Sequence, residues 1–322
     1  MSKYFPSVSI QKLIPIILYL RNMNSTATTT EIIPTNVVTY YHIIIPLSLT
    51  FIFLAMIFAC ISLILIICIT RLHTLAYLLV SNGAIASIFY CIVQSVNYSY
   101  LAFLPWETSD RSCRWRGFFS YMTVVAVIYS YLAQAISRLL IIIFSSKYHW
   151  ATSFKTHRVV LLIKWTLVIC LPLPALVTDD IYFRPISLCW VPKEYTLHLA
   201  YIVIVYYFIP TLFIIAIYIF IYCRVKRRKN RVSIMSRKNR DVEVLSNMMI
   251  LFSIYIFGAL PTLIYVIGRI EVFYAIGLIS MSMAIAVENI VALFIDGDLR
   301  RTMKNYIHRS INRIAPVSAL NR

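Results

Sequence analysis

Long apolar runs broken by short polar joints set the pattern of this chain. The first run is nearly pure from Ile43 to Ile69 and holds no charged residue. A helix rises about 1.5 Å per residue, so about 20 mostly apolar residues cross about 30 Å of hydrocarbon. Seven runs are long enough, at about 41–69, 75–103, 117–144, 159–178, 197–222, 245–268 and 272–295. The seventh is the least clean, because Glu288 and Asn289 interrupt it. The run Leu13–Leu20 is too short to span, and it lacks the small-residue cleavage site of a leader peptide. The expected fold is an all-α membrane protein: a seven-transmembrane helix bundle with a short amphipathic helix after the seventh span. The expected organisation is an outer tail over 1–40, the bundle over 41–298, and a cytoplasmic helix and tail over 299–322.

Composition agrees with this pattern. Hydrophobic residues make up 61% of the chain and charged residues 13%, with mean hydropathy +0.80. A soluble domain is nearer to about half apolar and about a quarter charged. The net charge of +18 raises the question of nucleic acid. The Lys and Arg sit in the joints between apolar runs, however, where basic residues report orientation and anionic lipid contact. No nucleic-acid partner is expected. With the N-terminus outside, the inner joints and tail carry 19 of the 30 basic residues and the outer segments nine. Seven acidic residues fall outside and four inside. The positive-inside rule then puts the N-terminus outside and the C-terminus in the cytoplasm of a multi-pass plasma-membrane protein. Asn24-Ser25-Thr26 is a glycosylation sequon in the expected outer tail. Asn97-Tyr98-Ser99 is a second, but it lies close to the bilayer.

Other membrane classes fit less well. Many transporters carry internal repeats and Gly-rich broken helices. The chain shows no such repeat and has six Gly in all. A membrane enzyme would cluster His, Asp or Glu, and the six histidines lie at span ends or in loops without metal spacing. No cofactor is expected. The basic stretch Arg224–Arg240 reads equally as a solvated connector and as a contact surface for an acidic or lipid-bound partner. From Leu299 to Ile314, apolar Leu299, Met303, Tyr306, Ile307, Ile311 and Ile314 alternate at helical spacing with basic residues, which suits the inner membrane surface.

Some residues hold fixed depths. Cys113 opens the third span and Arg138 stands 25 residues later, a separation of roughly 37 Å along one helix. A second outer cysteine, Cys189, lies between spans four and five, and an oxidising outer side permits a Cys113–Cys189 disulfide. With these landmarks the chain resembles the rhodopsin-like G-protein-coupled receptors. That family joins the top of helix three to the second outer loop by a disulfide and ends helix three in Asp-Arg-Tyr, where this chain has Ser137-Arg138-Leu139. Trp165 with Pro174, Pro210 with Tyr218, and Asp241 with Pro261 match the family's spacing in spans four, five and six. Asp298-Leu299-Arg300-Arg301 looks like the start of its membrane-lying helix. The resemblance covers roughly residues 40–315 and implies an outer ligand and a heterotrimeric G protein as partners.

The departures make this a divergent member. Cys60 stands about where span one has its Asn, and span two lacks its Asp, with Asn82 as its main polar group. The Cys-Trp-x-Pro motif reads Gly258-Ala259-Leu260-Pro261, and the Asn-Pro-x-x-Tyr motif loses both Pro and Tyr around Glu288 and Asn289. The resemblance implies that Arg138 pairs with an acid at rest. Ser137 has no charge, so Asp241 is the expected partner, with Tyr218 supporting the active form and Pro261 kinking span six. Glu288 is a membrane carboxyl, which is functional by default, and Asn289, Asn82, Ser280 and Ser282 are its expected network between spans two and seven. Ser120 stands where amine receptors of the family carry an Asp, so a cationic monoamine lacks its usual counter-ion there. Ser120, Tyr121 and Tyr206 are the expected pocket residues, and the aromatic outer halves suit a peptide or an apolar small molecule. A non-coupling scaffold or decoy, and after it a transporter, are the alternatives.

Overall fold

Seven helices are long and apolar enough to cross a bilayer: Ile43–Cys68, Leu75–Phe103, Asp110–Phe144, Phe154–Val177, Thr196–Arg224, Ser246–Gly268 and Val272–Ile295. They are spans one to seven. The computed structural model describes residues 35–69, 74–103, 109–144, 148–178, 180–182, 188–192, 194–229, 235–268, 270–295 and 300. Residues 35–42, 149, 225–229, 235–245 and 271 are described by backbone alone. No strand occurs among the described residues. The chain divides into two compact units, Met1–Thr39 and Tyr40–Arg322, and the second holds all seven spans. The expected amphipathic helix over 299–322 and the Asn24 sequon lie outside the described residues, as does nearly all of the Arg224–Arg240 loop at side-chain level.

The spans match the apolar runs and extend past them where polar residues hide the helix. Span three starts at Asp110 instead of 117, because Ser109 Oγ accepts from the Ser112 N–H at 3.3 Å and Asp110 suits the positive end of the helix. Span four starts at Phe154 instead of 159, with Ser153 Oγ accepting from the Lys155 N–H at 3.3 Å.

Packing is inside-out relative to a soluble bundle. In each span at most 44% of the most apolar stretch is buried, and the side chains that face outward remain apolar. Ile57, Leu162, Phe213 and Phe257 are each more than half exposed. Only hydrocarbon tolerates that surface, so this is a multi-pass membrane protein. Span three is enclosed over part of its length: every residue from Ser120 to Tyr131 is buried, as expected of a helix surrounded on all sides there.

Two irregularities shape the bundle. Pro172 and Pro174 have no N–H to donate, so span four stops at Cys170 and resumes over Leu173–Val177. Ala175 bonds to the Pro172 carbonyl at 3.1 Å, and the Leu171 carbonyl accepts the hydroxyls of Tyr201 at 3.0 Å and Tyr206 at 3.2 Å. Residues five apart in an α-helix point about 140° away from one another. Span five solves this with a π-helical segment, Ile202–Phe208, whose wider turn brings both tyrosines to one side.

The second irregularity joins spans six and seven. A Cβ on Gly258 would lie 2.2 Å from the Ala284 Cβ, so the helices touch through their smallest residues. Ser280 donates to the Gly258 carbonyl at 2.8 Å, one turn before Pro261 in the same helix. Gly258→Ala should therefore push the spans apart at a cost of about 1–3 kcal/mol. Purified protein should show a lower thermal midpoint, while Gly268→Ala, whose nearest neighbour would be 3.7 Å away, should leave it unchanged.

Candidate functional site

The Cys113–Cys189 disulfide is present, with Cα atoms 5.2 Å apart. It ties the loop after span four to the start of span three, and the neighbouring residues then drop into the mouth of the bundle. The Leu188 N–H donates to the Tyr274 hydroxyl at 2.9 Å, and the Val191 N–H to the Tyr121 hydroxyl at 2.8 Å. Between them Trp190 donates its indole N–H to Ser120 Oγ at 3.3 Å and meets the Tyr274 ring edge-on at 5.7 Å. Gln94 also donates to Ser120 Oγ, at 2.9 Å. Gly117 makes room for the loop, since a Cβ there would lie 2.3 Å from the Cys189 carbonyl oxygen.

The three expected pocket residues therefore meet the protein's own groups. Ser120 is 1% exposed and bonded to span two and the loop. Tyr121 holds the loop backbone, and Tyr206 packs edge-on against it at 6.0 Å while donating to Leu171. Trp190, Tyr274 and Gln94 are the residues the sequence reading missed. Only Trp190 carried a signal, its place beside the bridged Cys189; nothing in the sequence marks Tyr274 or Gln94.

Deeper in the bundle the expected network divides. Asn82 donates to Ser130 Oγ at 3.3 Å and accepts from the Trp165 indole at 3.1 Å, so its amide serves spans three and four. Asn289 donates to the Ile285 carbonyl of its own helix at 2.8 Å. Ser282 bonds back to Leu278 at 2.8 Å and meets the Tyr98 hydroxyl at 3.4 Å. Glu288 instead lies within hydrogen-bond reach of the Tyr131 hydroxyl and in electrostatic range of Cys91 and Tyr255. The carboxyl thus faces groups of spans two, three and six, while the hydrogen bonds of the Asn82 and Asn289 amides go to other partners. Lys164, a second intramembrane charge, is 3% exposed with its amine 3.5 Å from the centre of the Trp165 ring.

At the end opposite the disulfide, Tyr218 is 4% exposed and within electrostatic range of Arg138. Pro261 lies inside the span-six helix as expected. Asp241 is on the same helix, but its side chain lies outside the described residues.

A family model described as "7 transmembrane receptor (rhodopsin family)" matches residues 59–272. The chain belongs to the rhodopsin-family seven-transmembrane receptors. No curated protein matches it. In this receptor the matched region takes in the disulfide, the Trp190 cap, Arg138, Tyr218 and Pro261.

One more pair closes the disulfide end. His198 Nδ1 stands 2.7 Å from Asp180 Oδ2, which also accepts from the Thr178 hydroxyl at 2.7 Å. Burial pushes Asp180 upward, but the bonds from Thr178 and His198 and the charge of His198 outweigh it and hold the carboxyl below its ordinary value. A lowered carboxyl stabilises the fold above its unfolded value, and that stabilisation is lost as pH falls through the folded value. The receptor should thus melt higher than Asp180→Asn at neutral pH. The gap should close on acidification below about pH 4, as thermal unfolding across a pH series would show.

Proposed function

We propose that this receptor binds a ligand on its disulfide side and activates a heterotrimeric G protein through outward movement of span six. The observation that supports the reading is Arg138 within electrostatic range of the buried Tyr218 at the far end of span three, within a chain of this family. In the resting state Arg138 pairs with Asp241, and movement of span six breaks the pair in favour of Tyr218. Such a pair has two discrete arrangements, which is what a switch needs. The N-terminus is outside and the protein works at the plasma membrane, in line with the excess of basic residues on the other side. The basic inner loops and tail contact anionic lipid.

The capped mouth narrows the ligand. With Trp190 seated on Ser120, a ligand either displaces the loop or acts on it from outside, which favours a peptide or an apolar molecule over a small charged amine within the bundle. The decoy reading keeps one observation in its favour. Span six has Ala259 where the family carries its Trp, and the Ser280–Gly258 bond ties spans six and seven together.

In cells, wild-type receptor should recruit or activate a G protein above background. Arg138→Ala should abolish this at equal surface expression, and Asp241→Ala should raise the basal level several-fold. Wild type and Arg138→Ala that stay indistinguishable under every stimulus would make the protein a decoy or scaffold.

A further inference from the structure

The joint between spans three and four has a pinned backbone and outward side chains. The Tyr148 N–H bonds to the Phe144 carbonyl at 2.8 Å, and Ala151 is fully buried. The Trp150 carbonyl accepts both the Ser153 N–H at 3.0 Å and the Thr156 hydroxyl at 2.8 Å. Yet Phe144, Tyr148, Trp150 and Phe154 are each more than a third exposed. Three of these rings form a series, Phe144 to Tyr148 at 6.4 Å and Tyr148 to Trp150 at 6.0 Å. The Trp150 indole N–H meets no acceptor among the described residues. The turn thus holds an aromatic ladder, with one unused donor, toward something outside the bundle.

The outward face of span four shows what lies there. Val159, Leu162, Ile163 and Ile169 are exposed on that face, so it meets hydrocarbon. Lys155 stands four residues before Val159 and Arg158 four before Leu162, and both are exposed. Residues four apart share a helix face, so each charge sits where that face turns apolar one helical turn later. This change of chemistry marks the level of the headgroups. Phe154 lies about 7.5 Å before Val159 along the axis, roughly the thickness of one headgroup layer. The ladder is therefore continuous with the membrane-facing surface of span four. The charge of the joint has one sign, because no acidic residue occurs from Arg111 to Thr178. Lys147 in the joint adds to it.

We infer that Phe144, Tyr148, Trp150 and Phe154 seat in the headgroup layer and, with Lys155 and Arg158, bind an anionic phospholipid. The headgroup anion lies by Lys155 and Arg158, and a lipid oxygen accepts from the Trp150 indole. The rings pack on the glycerol and the upper acyl chain, as amphipathic aromatic rings do at this depth. The site gives a place to the lipid contact proposed above and rests on that reading, but it requires no G protein.

The test uses the full chain in nanodiscs, with phospholipids brominated high on the acyl chain as quenchers. Emission present in the wild type and missing from Trp150→Phe belongs to Trp150. Brominated lipid should quench it, and aqueous acrylamide should leave it nearly unchanged. Quenching by acrylamide and not by the lipid would set the ladder against water, open to a protein partner, and overturn the inference. Brominated phosphatidylglycerol, as a minor component, should quench this emission several-fold more than brominated phosphatidylcholine at the same fraction. Combining Lys155→Gln with Arg158→Gln should erase that difference. Equal quenching by the two lipids in the wild type, or a preference that the double variant keeps, would also overturn the site. Thermal unfolding separates this site from the wider lipid reading. Phosphatidylglycerol should raise the midpoint more in the wild type than in the double variant. An equal rise in both would leave the other basic loops their lipid contact and overturn this site alone, and no rise in either would overturn both.

Discussion

The constraint behind this structure is that hydrocarbon offers no hydrogen bond. Each backbone carbonyl freed from a helix inside the membrane needs a partner from the protein itself. This chain meets the need largely with tyrosine, of which it has 23. Tyr201 and Tyr206 of span five close on Leu171 of span four, and Tyr129 of span three bonds to Val205 of span five at 3.1 Å. At 3.4 Å each, Tyr131 of span three reaches Leu251 of span six and Tyr98 of span two reaches Leu278 of span seven. A phenol suits the work because its ring packs like any apolar side chain and its hydroxyl ends the contact with a donor. These bonds join spans by side chain to backbone, and those to Leu171 and Val205 fall where the partner helix breaks or widens. The proline break in span four and the π segment in span five are therefore parts of one joint.

The same constraint explains why much of the fold was legible and part of the site was not. A crossing has to be long and apolar, so the seven spans stand out in the order of residues. Their ends are less visible, because Ser109 and Ser153 extend spans three and four through polar turns that look like loop. Helix rotation leaves no trace when the outward face is as apolar as the inward one. Glu288 and Asn82 thus read as natural neighbours, yet they take different partners, Tyr131 for the one and Ser130 and Trp165 for the other. The π segment is also silent, since nothing in its sequence IVIVYYF distinguishes it from the α-helix on either side. The disulfide was legible because it needs only two outer cysteines. Trp190 was not, because its place depends on how the bridged loop folds inward.

The departures from the family fit together when they are taken as packing. Gly258 and Ala259 are small where the family has Cys and Trp, and span seven fills the space, with Ala284 against Gly258 and Ser280 bonded to its carbonyl. A second close approach lies nearer the disulfide end, where a Cβ on Gly277 would come within 2.6 Å of the Thr262 hydroxyl. Packed interiors are dense and do not deform gradually, so helices locked at two such points shift together or separate altogether. If span six swings outward, span seven either follows it or loses both contacts.

The closed mouth limits how an external signal reaches that pair of helices. A ligand shifts an equilibrium only by its different affinity for the two states. Among the described residues at the disulfide end, Leu188–Val191 and the side chains that hold them link the loop to the bundle. Tyr274 is one of these: it accepts from Leu188, meets Trp190 edge-on and lies 5.0 Å from the Tyr265 ring of span six. Moving the loop therefore disturbs the contact between spans six and seven directly. Under the proposed function, a ligand that stays outside the bundle would reach span six through this one tyrosine.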